Sequence, residues 1–222
     1  MSNPPKIIRS KRKTITLVVK PDGQLLVRAP KRTTKREINA LIKKYADWIE
    51  KKQAEALANQ EKFSPHQFIA GEEFYFLGKK YPLRIGDNAD NLTLDSEFQL
   101  KSSRQKDAEK LFEQWYKKEA RRIFTERMDF FAKKHGFHYA KLKLSSAKRR
   151  WGSCSESGNI NLTWRLVMTP PEIIDYVIVH ELCHLREANH SKAFWAQVAD
   201  ILPDYKQRRK WLKENGREFH FP

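Results

Sequence analysis

The sequence predicts an α+β protein, and two observations carry that prediction. Hydrophobic residues alternate at period two, in hairpin-like pairs, over residues 14–29 and 141–164. Elsewhere they recur at helical spacing, over 34–49, 105–134 and 170–188.

In the first hairpin Ile15, Leu17 and Val19 alternate with polar residues, Pro21-Asp22-Gly23 marks the turn, and Leu25 to Val27 return. Thr34 and Glu37 have the spacing of a capping box. Ile38, Leu41, Ile42, Tyr45, Trp48 and Ile49 then share one helical face, with basic residues crowding the rest. Residues 68–100 read as short strands broken by turns at Gly71, Gly78, Gly86 and Asp87-Asn88. The polar run Lys101 to Asp107 is the expected boundary, dividing an amino-terminal α+β region (1–103) from a catalytic domain (104–222). A long helix over about 105–134 stops at His135-Gly136. Lys141 to Leu144 and Ile160 to Trp164, with a turn at Ser155 to Asn159, form the second hairpin. Thr169 as N-cap, two prolines and Glu172 open the next helix, expected to reach Ala188. Further helices are expected over 191–201 and 205–215, with Pro203 between them.

Composition narrows the classes. The chain has 222 residues, 40% of them hydrophobic, which is enough for a packed core and argues against wholesale disorder. Lys and Arg number 44 against 27 Asp and Glu, a net charge of +17 that favours anionic partners. No apolar run approaches the ~20 residues of a membrane-spanning helix, and the first residues lack the apolar core of a secretory signal. Two cysteines, Cys154 and Cys183, are too few for a disulfide scaffold, so a reducing, cytoplasmic setting is expected.

The chemistry concentrates in His180-Glu181-Leu182-Cys183-His184, an HExxH pattern inside an expected helix. Residues four apart lie on one helix face with Cβ atoms roughly 5–6 Å apart, so both imidazoles can reach one ion. Glu181 projects about 100° around the helix, in reach of a water but not of the ion. Zinc lowers the pKa of water to roughly 7, and a carboxylate beside it can take the proton as that water attacks a carbonyl or phosphoryl group. His190 follows six residues after His184 and can supply a third nitrogen once the helix ends, with Asn189 suited to a left-handed turn. Three protein ligands are the pattern of catalytic zinc. Glu187 is the chief rival for the third position, followed by Asp200 and Asp204. Ile174, Ile178, Val179, Leu182 and Leu185 make the helix apolar nearly all round, hence buried. Cys183, in the wrong angular sector to join both histidines, reads as a structural thiol.

Just upstream, Lys148-Arg149-Arg150-Trp151 sets three cations before an aromatic ring. Arg149, Arg150 and Trp151 can bind substrate, clamping carboxylate or phosphate and stacking on a ring. The alternative is a hairpin with exposed charges and Trp151 in the core.

These blocks resemble the YgjP-like family of metal-dependent hydrolases, related to minimal zincin metallopeptidases and more distantly to the SprT and WLM groups. The resemblance rests on Arg150 to Ser155, Ile174 to Leu185, Asn189-His190-Ser191, Phe194-Trp195 and Pro203-Asp204-Tyr205, dense over about 141–212. It implies a zincin-like core in which the HExxH helix packs beside a small antiparallel sheet. It also implies His180, His184 and His190 as zinc ligands and Glu181 as general acid/base. The ligand spacing matches the metzincins too, but Glu187 stands where they have Gly and no Met-turn follows His190. The family is assigned as metallopeptidase, and pyrophosphatase activity toward UTP has also been attached to it.

Three functions are therefore expected, in this order. The first is a zinc metallopeptidase. The second is a UTP pyrophosphohydrolase using the same metal site, although phosphoryl chemistry more often recruits Mg²⁺ through carboxylates. The third is a basic nucleic-acid-binding protein with a vestigial site. The expected partners are an anionic peptide or nucleotide substrate, weakly associated nucleic acid, and no membrane.

Overall fold

The computed structural model describes residues 4–62, 65–87, 90–219 and 221. The chain forms two compact units, Met1–Ser64 and Pro65–Pro222.

In the first unit β1 (Lys6–Ser10), β2 (Thr16–Val19) and β3 (Leu25–Pro30) form a sheet in the order β1-β3-β2. The expected hairpin is β2–β3, antiparallel, with Gly23 at φ +76° in the turn and the Asp22 carboxylate accepting from the Gln24 amide. The parallel partner β1 was not expected: its five residues are all exposed, so it carries no alternation to read. Thr34 and Glu37 form the capping box of α1 (Lys35–Lys44), each side chain bonding the other's backbone amide. The single helix expected here is two. Tyr45 leaves helical geometry at φ −109°, ψ 24°, and α2 (Ala46–Lys62) starts anew. Ile38 and Ile49 stay in the small core with Leu25, Val27 and Ala29, whereas Tyr45 and Trp48, expected on the same face, are exposed, Tyr45 at the break itself.

The second unit contains everything else. Strands β4 (Glu73–Phe76), β5 (Lys79–Gly86), β6 (Leu92–Leu94) and β7 (Phe98–Lys101) make a mixed sheet in the order β4-β5-β7-β6. Asn88, in the turn expected at Asp87-Asn88, lies outside the described residues. A 3-10 turn at Ser102–Asp107 leads into α3 (Ala108–His135), which ends on left-handed Gly136 as the sequence suggests. The boundary expected at residue 103/104 falls inside this unit. Phe74, Leu83, Phe98 and Leu100 of the sheet share one core with Phe112 and Tyr116 of α3 and with Leu166 and Val167. The Leu77 and Gly78 amides, between β4 and β5, donate to the Val167 and Met168 carbonyls. The polar run that looks like a linker is only the solvated surface of that junction.

Strands β8 (Lys141–Ser145), β9 (Gly152–Cys154) and β10 (Asn159–Thr163) follow, in the order β8-β10-β9. The sheet is mixed where a purely antiparallel one was expected. The hairpin is β9–β10, and β8 lies parallel on the far side of β10. Gly152–Cys154 is too short and polar to announce itself as a strand, yet it occupies the place beside the turn.

A buried 3-10 turn, Trp164–Met168, leads into α4 (Pro171–Cys183). No capping box opens α4. The N-cap is Pro170, and the Thr169 hydroxyl donates instead to Leu166 O at 2.8 Å. Nine of the thirteen residues of α4 are buried, which the nearly continuous apolar run foretells. Arg127 of α3 grips Asp175 of α4 with two bonds, 2.6 and 2.7 Å, and holds the two helices together. Helices α5 (Lys192–Ile201) and α6 (Tyr205–Asn215) complete the unit. Among the described residues no helix is long and apolar enough to cross a membrane.

Candidate metal centre

His180 lies in the last turn of α4 and His184 caps it, so the helix ends at Cys183, short of the Ala188 that the sequence suggests. The early stop is what frees the chain to turn. Glu187 N donates to Cys183 O, Ser191 N reaches back to Asn189 O at 2.8 Å, and Ser191 then caps α5 by accepting from Phe194 N. His190 is carried back over the helix by this turn. Asn189 is not left-handed as expected; among the described residues only Phe68 and Leu77 combine positive φ with a side chain. A bond spanning two residues does the turning instead.

The three imidazoles converge. One nitrogen from each of His180, His184 and His190 lies within 4.8 Å of the others, and the Nε2 atoms of His180 and His190 are 3.0 Å apart. The ring of His184 stands nearly perpendicular to both partners, at 86°. His184 Nδ1 is 3.0 Å from the Glu187 carbonyl, which fixes the ring by a donated N–H and leaves Nε2 an acceptor toward the cluster. Phe194 stacks on His184 at 4.5 Å and Trp195 on His190 at 5.6 Å, while Arg209 lies over Trp195 at 4.6 Å.

Burial favours the neutral form of two of these rings, His180 and His190. Burial, then the neighbouring His184, His190 and Arg209 charges, push His180 down to about 3, and burial also lowers His190. Neutral imidazole is the form that ligates. The set suits zinc: three nitrogens, no fourth protein ligand among the described residues, and a His180–His190 separation close to the roughly 3.3 Å that two nitrogens keep across a tetrahedral ion. Two unprotonated nitrogens 3.0 Å apart repel unless a proton or a cation lies between them.

Glu181 is only 5% exposed, and burial raises its carboxyl to about 7, with Arg150 opposing. It faces β9 at Gly152. A Cβ there would sit 2.5 Å from Glu181 Oε1 and 2.7 Å from its Cγ, so only glycine lets the strand pass. Gly152, Ser153 and Cys154 line one wall of a cavity of about 330 Å³, with His180, Glu181, His184 and His190 opposite.

A family model described as YgjP-like, metallopeptidase domain, matches residues 13–215. The chain belongs to that YgjP-like family. No curated protein matches it. A crystal structure of the metallopeptidase zymogen of Pyrococcus abyssi abylysin is similar at 22% identity over 40% of this chain and 93% of that one, with a TM-score of 0.37.

In this YgjP-like protein the other sequence candidates fall outside the cluster. Among the described residues neither Glu187, Asp200 nor Asp204 joins a metal-binding group. Glu187 contributes its carbonyl rather than its carboxylate, and Asp204 pairs with Arg208 at 2.9 Å. Cys183 is fully buried with its thiol pushed up to about 12, as a structural thiol should be. Arg149, Arg150 and Trp151 do not line the histidine cleft; they line a second cavity. Sequence reasoning missed the Glu187 carbonyl, the Phe194 and Trp195 packing and the role of Gly152. Only the glycine left a trace, in the Arg150–Ser155 block.

Proposed function

We propose that this protein is a zinc metallopeptidase in which His180, His184 and His190 hold the metal and Glu181 is the general base. The convergence of the three imidazoles beside the buried carboxylate carries this reading. A zinc ion held by these three imidazoles would supply Lewis acidity toward a carbonyl and a water. Glu181, poised near neutrality by burial, takes the proton of the attacking water and returns it to the departing amine. The Glu187 carbonyl holds His184 in the ligating tautomer.

Strand β9 favours a peptide over a nucleotide. It is the edge of its sheet, and Trp151 O and Ser155 N bond toward β10. Alternation then turns the backbone groups of Gly152 and Cys154 away from β10, toward an extended chain lying in the cleft. Free Cys154 and Cys183 suit a cytoplasmic protein.

Zinc-replete protein should cleave denatured casein, chelator should abolish this, and Glu181→Gln should retain zinc yet lose about 10²–10⁴ in kcat. Release of pyrophosphate from UTP with casein untouched would replace the peptide with a nucleotide. Tight, salt-sensitive DNA binding by protein that purifies without metal would point to a nucleic-acid role.

A further inference from the structure

The second cavity, about 220 Å³, is walled by Lys148, Arg149, Arg150, Arg165, Lys213 and Arg217. No aspartate or glutamate is among its lining residues, whose other members include Trp151 and Phe219. Arg165 forms the buried floor, its guanidinium donating to the Phe221 and Ser146 carbonyls and stacking on Trp164 at 4.3 Å. The other five cations are exposed around it. Gathering like charges around one concavity costs self-repulsion that an anionic guest would relieve. Guanidinium groups are the donors best matched to carboxylate geometry.

The position of this cavity says which anion. Residues Ala147 to Trp151 line it, and the very next residues, Gly152 to Glu156, line the histidine cleft. One strand of chain therefore serves both cavities. A peptide paired antiparallel to β9, the stronger ladder, runs from the Cys154 end toward the Gly152 end. Its catalytic neighbour Glu181 sits against Gly152. The part of the peptide beyond the cleaved bond then continues past Trp151 and Arg150, at about 3.3 Å per residue.

We infer that the basic cavity is a subsite for carboxylates of an acidic peptide, taken up one to three residues on the C-terminal side of the cleaved bond. The inference rests on the peptidase reading above and adds its substrate class. Lys213 and Arg217 come from the carboxy-terminal region and meet the 148–151 segment only in the folded chain.

Digestion of a mixed peptide library by zinc-loaded protein tests it. Asp and Glu should be enriched at the first three positions after the cleaved bond. The double charge reversal Lys213→Glu, Arg217→Glu, at two exposed positions, should lower the ratio of acidic to neutral sites at least about fivefold, consistent with the loss of roughly 1 kcal/mol or more of selectivity. Acids enriched before the bond, no preference for acids, or an enrichment the double variant keeps would each overturn the subsite.

A binding arm separates this from failure of the peptidase reading. A glutamate-rich hexapeptide, followed by tryptophan fluorescence, should bind wild-type protein at least about tenfold tighter than the double variant at low salt. If no peptide is cleaved but that difference holds, the peptidase reading falls and the carboxylate subsite stands. Equal binding by the two proteins would overturn the subsite, as would displacement of the hexapeptide by inorganic phosphate at equal concentration, which would reassign the cavity to phosphate.

Discussion

The segment 147–156 borders two cavities, and they are built on opposite terms. On the Gly152–Glu156 side the groups of the buried helix are held toward neutrality: desolvation keeps His180 uncharged and lifts Glu181 to about 7, with exposed Glu156 at the rim. On the Ala147–Trp151 side the walls carry six cations, five of them in contact with solvent. The first cavity draws its chemistry from a single buried helix and the turn that follows it; the second is assembled from three distant stretches of chain. Burial makes reactive groups, and exposure makes a charged docking surface. The difference teaches that the +17 charge is no guide to the histidine cleft, where burial favours the neutral forms of His180 and Glu181.

The sharpest way to break this comparison is at the ligands. His190→Ala should copurify with a small fraction of the wild-type zinc by elemental analysis, because two imidazoles cannot replace three. Normal occupancy would mean that another group completes the site.

Gly152→Ala should lower turnover by about 10- to 100-fold through displacement of Glu181, with zinc retained. Its Cβ would meet the buried Glu181 side chain at 2.5–2.8 Å and push the carboxylate from its place against β9. Wild-type kcat in this variant would show that Glu181 moves freely.

The pH dependence of metal-free protein comes next. The Glu181 carboxyl is raised to about 7 in the folded chain, above its ordinary 4.5. Its contribution to stability is therefore complete below the unfolded value and is lost as pH rises through about 7. The melting temperature of Glu181→Gln relative to wild type, both in chelator, should climb between pH 5 and pH 8, by the equivalent of about 3 kcal/mol at most. A difference that stays flat with pH would place the Glu181 carboxyl in water.

The smallest effect belongs to the basic side. Lys213→Glu alone should change stability by less than about 0.5 kcal/mol, as exposed substitutions usually do. A large loss by thermal melting would make Lys213 part of the framework.

How much of this was legible follows from what each feature depends on. The HExxH helix, its burial, the third histidine and the structural Cys183 all rest on local spacing and on an apolar run, and the structure brings the three histidines together as that spacing suggests. The turn to His190 was expected for a different reason than the one found, because hydrogen bonds across two residues leave no compositional mark. Strands β1 and β9 escaped notice for want of alternation: one is exposed on every residue, the other is three residues long. The 103/104 boundary misled because a polar run marks solvent exposure, whereas a unit is defined by shared core, and Phe98 and Phe112 lie 4.9 Å apart across that run.

By itself the sequence determined the elements and chemistry that depend on neighbours within a few residues. These are the capping box at Thr34 and Glu37, the stop at Gly136, and a helix that sets His180, Glu181 and His184 at one end. Only the tertiary structure decided which backbone carbonyl would orient His184, why Gly152 has to be glycine, and that Lys213 and Arg217 would join Arg149 and Arg150 around one cavity. The physical reason is the range of the interactions. Helical spacing and burial are written in adjacent residues, but a steric fit or a shared field is a property of segments that meet only after the chain has packed.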